Sequence, residues 1–140
     1  MAALCPVFLL CAIALALAPF GRGTRLMPGG LNEASEDEEI VKKALRFAMK
    51  VYNRGSNEMY IMKAFKVIEA QKQIVSGINV YLTVEIHPTN CRKSARELTN
   101  CEFLQGSESE KVVICNFVVH SIPWLRRTNL TSNKCQRKDT

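Results

Sequence analysis

No Cys-x-x-Cys pair occurs anywhere in the chain, and its two histidines, His87 and His120, stand apart from each other and from any cysteine. Zinc-ligand spacing is therefore missing, and no metal or other cofactor is expected. There is also no block of five or six basic residues; Arg126-Arg127 and Lys134 to Lys138 are the only dense clusters in a chain of formal charge +6. A modest, scattered excess of this kind reads as a solvated surface and speaks against a nucleic-acid partner. The longest apolar run, Val7 to Ala18, falls short of the roughly 20 residues that span a bilayer, so no membrane partner is expected. No internal repeat or low-complexity tract interrupts the 140 residues, which leaves room for one domain of ordinary size.

The apolar run ends in small residues followed by Pro19 and Gly21. At this length and position it reads as a cleaved secretory signal over residues 1–23, with cleavage between 18 and 23 and the domain over 24–140. Cleavage after Gly23 removes Arg22 and no acid, leaving 18 basic residues against 13 acidic ones. It also removes Cys5 and Cys11, so Cys91, Cys101, Cys115 and Cys135 remain. An even number of cysteines in a secreted chain implies a disulfide framework, and secretion places the protein outside the cell. Four cysteines allow three connectivities; nearest-neighbour pairing closes two short loops. A cysteine nucleophile needs a free thiolate and a base, and neither histidine has a carboxylate–histidine–nucleophile pattern near it. The residue types thus argue against an enzyme.

Ser35 stands three residues before Glu38 at the head of an apolar-periodic run, the pattern of a capping box. Acidic residues at 36 to 39 suit the positive end of a helix dipole. Ile40, Val41, Ala44, Leu45, Ala48, Val51 and Tyr52 recur at spacings of three and four, which predicts one amphipathic helix ending near Asn53 to Gly55, where glycine takes a left-handed cap. Its basic face, Lys42, Lys43, Arg46, Lys50 and Arg54, is expected to be solvated.

The remainder reads as strands. Residues 78 to 86 alternate cleanly, with Ile78, Val80, Leu82, Val84 and Ile86 on one face and Asn79, Tyr81, Thr83 and Glu85 on the other. Residues 59 to 70 and 111 to 120 are rich in apolar and β-branched side chains, and a weaker strand runs from Leu125 to Lys134. One helix ahead of four to five strands predicts an α+β fold, an antiparallel β-sheet wrapped across one long α-helix.

Three connections carry apolar side chains where turns are ordinarily polar. Gln73-Ile74-Val75-Ser76-Gly77 occupies the turn between two neighbouring strands, and Gly77 supplies the backbone freedom the turn needs. Pro123-Trp124, with the only tryptophan, lies between the last two strands. A lone tryptophan is ordinarily a core residue, but one that follows a turn-forming proline competes for a loop tip, where an indole makes a strong binding hot spot. Met27-Pro28-Gly29-Gly30 forms a hinge ahead of the helix. Exposed apolar tips point to a protein partner.

Gly29 near the start, Gln-x-Val-x-Gly at 73 to 77, Pro-Trp at 123 and 124, and cysteine spacings of 10 and 20 together resemble the cystatin family, in its secreted two-disulfide (type 2) class. The resemblance covers essentially all of residues 24 to 140. It implies disulfides Cys91–Cys101 and Cys115–Cys135, and reversible, tight inhibition of papain-like cysteine proteases (cathepsins). Met27, Pro28 and Gly29 would enter the non-primed side of the cleft, Gln73 to Gly77 would pack beside the catalytic cysteine, and Pro123 and Trp124 would cover the primed side. Pro28 departs from the aliphatic residue common in the family at that place. It donates no backbone hydrogen bond, so weaker or more selective inhibition is expected.

Ser56-Asn57-Glu58 resembles the Ser-Asn-Asp segment through which some secreted cystatins inhibit legumain, with Asn57 as the recognised residue and Glu58 in place of aspartate. Asn129-Leu130-Thr131 is a glycosylation sequon, which makes the chain a candidate glycoprotein. The expected state is a monomer, and the apolar first turn leaves exchange into a domain-swapped dimer open. The alternative function is a secreted binding or carrier protein that keeps the fold without inhibitory activity.

Overall fold

A computed structural model of the chain describes residues 30–94, 100–105 and 111–138; the signal segment and Met27, Pro28 and Gly29 lie outside the described residues. The order of elements is β1 (Asn32–Glu33), α1 (Glu39–Gly55), β2 (Tyr60–Ile74), β3 (Ile78–Arg92), β4 (Val113–Ile122), a short 3-10 turn at Pro123–Leu125, and β5 (Arg127–Arg137). The strands form one antiparallel sheet in sequence order, β1-β2-β3-β4-β5. The predicted class therefore stands: the described residues form five antiparallel strands and one α-helix.

The core is the helix stripe pressed on the sheet's inner face. Val41, Ala44 and Ala48 of α1 meet Val80, Leu82, Val84 and Ile86 of β3 and Cys115, Phe117 and Val119 of β4, all buried. Each fully buried branched or aromatic side chain stabilises the fold by about 1.5–3 kcal/mol, so the inward-facing set Val80, Leu82, Val84 and Ile86 of β3 is what holds the sheet face to the helix. Asn53, near the end of α1, clamps the helix to β2: its amide nitrogen donates to the Met62 carbonyl at 2.9 Å and its oxygen accepts the Met62 N–H at 2.8 Å.

Both helix ends differ from the sequence reading. Glu38, not Ser35, occupies the cap position, and it makes no side-chain capping bond. The Ser35 hydroxyl accepts instead from the Asp37 N–H at 3.2 Å, while the Glu38 carboxylate accepts the Ser35 N–H at 3.2 Å and holds Lys72 at 2.7 Å. The box residues thus shape a turn before the helix, because Glu38 is drawn to a cation on β2. At the other end Gly55 stays helical, and the cap falls to Ser56 in an extended conformation, its N–H bonded to the Tyr52 carbonyl at 2.9 Å.

The strands of the first hairpin run longer than their alternation suggested. Irregularities at Tyr60/Met62, Ala64/Lys66 and Val67/Glu69 break the two-residue period of β2 while pairing continues. The structure pairs Cys91 with Cys101 and Cys115 with Cys135; the second bridge joins residues directly opposite each other on β4 and β5.

Candidate functional site

β2 and β3 are joined by Val75-Ser76-Gly77, with Ile74 paired to Ile78 and Gln73 to Asn79. The turn is thus tighter than the five residues marked out in the sequence. Ser76 and Gly77 both take positive φ, 38° and 117°, which closes the hairpin in three residues. Ile74 is left 59% exposed at the tip. Tyr81 donates its hydroxyl to the Gln73 side-chain oxygen at 3.1 Å, which orients the base of the tip.

The second tip lies beside the first because β3 and β4 are neighbours, with Ile78 paired to Ser121 just before Pro123. Pro123 opens the short 3-10 turn and Arg126 closes it in the left-handed region, its N–H bonded to the Pro123 carbonyl at 3.2 Å. Trp124 is 69% exposed, so it belongs to the loop tip and not to the core. Leu125, expected to open the last strand, lies instead in the 3-10 turn and is exposed beside it. No alternation marks Leu125 as a tip residue; the proline two places earlier was the available signal.

Gly77 is where the two tips touch. It is buried, and a Cβ added there would come within 2.6 Å of the Ser121 carbonyl oxygen. The chain ahead of the helix reaches the same end of the sheet: β1 is antiparallel to β2 with Asn32 opposite Lys72, so Leu31 and Gly30 precede it on the side of Gln73 and Ile74. Leu31 is exposed. The structure therefore gathers Gln73 to Gly77, Pro123, Trp124, Gly30 and Leu31 at one end.

Ser56-Asn57-Glu58 sits at the opposite end, between α1 and the start of β2. Lys93 donates to the Ser56 carbonyl at 2.6 Å and to its hydroxyl at 2.7 Å, and Lys111 approaches Glu58 at 3.4 Å, leaving Asn57 exposed. Asn129 is exposed on β5, paired with His120. Thr131, the third sequon residue, falls in the irregularity opposite Val118/Val119 and donates its hydroxyl to the Val118 carbonyl at 3.1 Å.

The family model for the cystatin domain matches residues 29–124. The chain belongs to the cystatin family. Cystatin-2 of Crotalus adamanteus is 46% identical over 130 residues, covering 91% of this chain and 95% of that protein. Cystatin of Gallus gallus is 43% identical over 133 residues, with 94% and 96% covered. The crystal structure of dimeric human cystatin F superposes with a TM-score of 0.72 at 25% identity, over 89% of this chain and 98% of the other. Two disulfides place this cystatin in the type 2 class. Cystatins are protease inhibitors, and this cystatin is not an enzyme.

Proposed function

We propose that this cystatin is a secreted, reversible inhibitor of papain-like cysteine proteases of the cathepsin kind, and that its working unit is a monomer. The observation that carries the reading is the placement of exposed Ile74 and Trp124 on adjacent tips, locked together through Gly77 and Ser121. A preformed apolar wedge enters a cleft with little ordering cost, because the sheet already holds both hairpins. Met27, Pro28 and Gly29 extend the wedge along the non-primed side, Gln73 to Gly77 fill the centre beside the catalytic cysteine, and Pro123 and Trp124 cover the primed side. No scissile bond is offered to the nucleophile, so the wedge blocks without turnover.

Titration of papain and cathepsin activity with the purified, oxidised chain tests this. Trp124→Ala removes an exposed hot-spot side chain and costs about 2 kcal/mol of binding or more, roughly 30-fold in the inhibition constant. Val75→Asp places a charge in the cleft and weakens inhibition similarly. Equal potency of both variants with the wild type would sink the assignment and favour a carrier role for the fold.

A second reading concerns the other end. Asn57 is exposed on a loop braced by Lys93 and Lys111, which supports a separate legumain-binding site that leaves the wedge free. An Asn57→Lys variant that still inhibited legumain would dispose of it. Asn129, exposed on β5, is the glycosylation site we assign, checked by a mass shift lost in Asn129→Gln.

A further inference from the structure

From Lys42 to Arg54, beyond the acidic Glu39 of its first turn, the solvent face of α1 carries a ridge of charges of one sign. Lys42, Lys43, Arg46, Lys50 and Arg54 are all exposed. At 3.6 residues per turn they fall within about 120° of the helix circumference and along about 18 Å of its axis. Lys42 reaches Glu39 at 3.9 Å; Lys43, Arg46, Lys50 and Arg54 have no ion-pair partner among the described residues. Neighbouring like charges at i,i+4, such as Arg46 with Lys50 and Lys50 with Arg54, destabilise an isolated helix by a few tenths of a kcal/mol each. The fold keeps them in line without neutralising them.

We infer that this ridge is a binding surface for a sulfated polysaccharide. A linear polyanion matches a line of cations in shape and sign, and releases counterions when it binds, as any highly charged polymer does. An anionic membrane fits less well, because a helix that lies in a bilayer interface must offer an apolar face. Here Val41, Ala44 and Ala48 are buried against the sheet, and no aromatic side chain stands on the ridge. The two disulfides point to an oxidising compartment, where sulfated glycans rather than nucleic acids are the abundant polyanions.

The ridge also has a direction. Glu36, Asp37, Glu38 and Glu39 gather at the start of α1 and repel a polyanion there. The start of the helix is tied by Glu38 to Lys72 near the hairpin tips, whereas its end is tied by Asn53 to Met62 at the far end of β2. A polyanion running from Lys43 to Arg54 therefore lies away from the apolar wedge and leaves it accessible.

Heparin serves as the probe, with the full oxidised chain. Lys43→Glu/Arg46→Glu/Lys50→Glu should lose at least tenfold in heparin affinity and elute from a heparin column at markedly lower salt, with its melting midpoint and papain inhibition unchanged. Lys63→Glu/Lys66→Glu/Lys134→Glu, an equal charge change on exposed residues of the sheet's outer face, should lose little. For the wild type, log affinity against log salt should fall with a slope of about −4, flattening in the ridge variant. Should charge reversal compromise the fold, Lys43→Gln/Arg46→Gln/Lys50→Gln carries the same test. Equal losses in ridge and sheet variants, or binding to phosphatidylserine vesicles without binding to heparin at the same ionic strength, would overturn the inference.

Discussion

Replacing Gly77 by alanine should damage both stability and inhibition, and the size of the effect follows from one contact. Gly77 holds φ at 117°, and an added Cβ would sit 2.6 Å from the Ser121 carbonyl oxygen, 3.2 Å from Ile122 Cγ1 and 3.3 Å from the His120 ring. The oxygen is backbone, fixed by the Ile78–Ser121 pairing, so it cannot swing aside as a side chain would. Positive φ costs alanine about 1–2 kcal/mol, and overpacking of this kind typically adds about 1–3 kcal/mol. If nothing yields, the total is about 2–5 kcal/mol, a fall in melting midpoint of about 5 °C or more for a domain of this size. If the first tip peels away from the second, the fold recovers part of that loss, but Ile74 and Trp124 no longer share one edge. Inhibition of papain then weakens by about tenfold or more, which is about 1.4 kcal/mol. Circular-dichroism melts and papain titration on one preparation separate the two routes. A variant with a midpoint within about 1 °C of wild type and an unchanged inhibition constant would refute the coupling of the tips through this glycine.

Other perturbations have equally definite outcomes. Pro28→Val restores a backbone donor and an aliphatic side chain ahead of Gly29, so inhibition constants should tighten for at least some papain-like proteases; no change across a panel would refute the role given to Pro28. Replacing Cys115 and Cys135 together by alanine removes a cross-strand bridge of sequence separation 20 and should lower unfolding free energy by about 3 kcal/mol. An unshifted urea midpoint would count against that. Glu85 accepts from Lys138, which holds its carboxyl below the usual 4.5; burial pushes the other way, and His87 adds to the lowering. A depressed carboxyl pKa contributes stability that is present above the unfolded value and lost as pH falls through the folded one. Melts of Glu85→Gln against wild type should therefore differ at neutral pH and converge as pH falls below the ordinary carboxylate range; a gap that stays constant through acidic pH would show that the charge is not what matters.

The fold was legible wherever one face of an element meets the core and the other meets water. β3 is the clearest case: Val80, Leu82, Val84 and Ile86 are buried at every second place, as the alternation demanded, although Glu85 on the other face is buried as well, held by Lys138 and His87. β2 was harder because its irregularities leave Phe65 and Ile68 in solvent, so apolar letters there do not mean burial. Phe65 finds company across the sheet, stacked on His87 at 4.1 Å with Phe103 edge-on at 5.4 Å. Phe103 itself arrives through a bridge to Thr89 that no local pattern encodes. The two-residue β1 is too short to carry a period at all.

The candidate edge divides in the same way. That Ile74, Val75 and Trp124 stood outside the alternation could be read from composition and turn chemistry, because each is apolar where a turn wants a polar or flexible residue. That they share one end of the molecule could not, because it depends on register. Ile78 opposite Ser121 puts two tips side by side; with the first hairpin turned over, they would point to opposite poles with the same letters in each loop. What selects the register is the buried set on β3 and β4, where a slip of one residue would turn Phe117 and Val119 to solvent and Asn116 and His120 to the helix. Several buried side chains at about 1.5–3 kcal/mol apiece therefore hold the tips in place from a distance. Substitutions deep in the sheet, such as Val119→Asn, should accordingly impair inhibition without any change in the loops that do the binding.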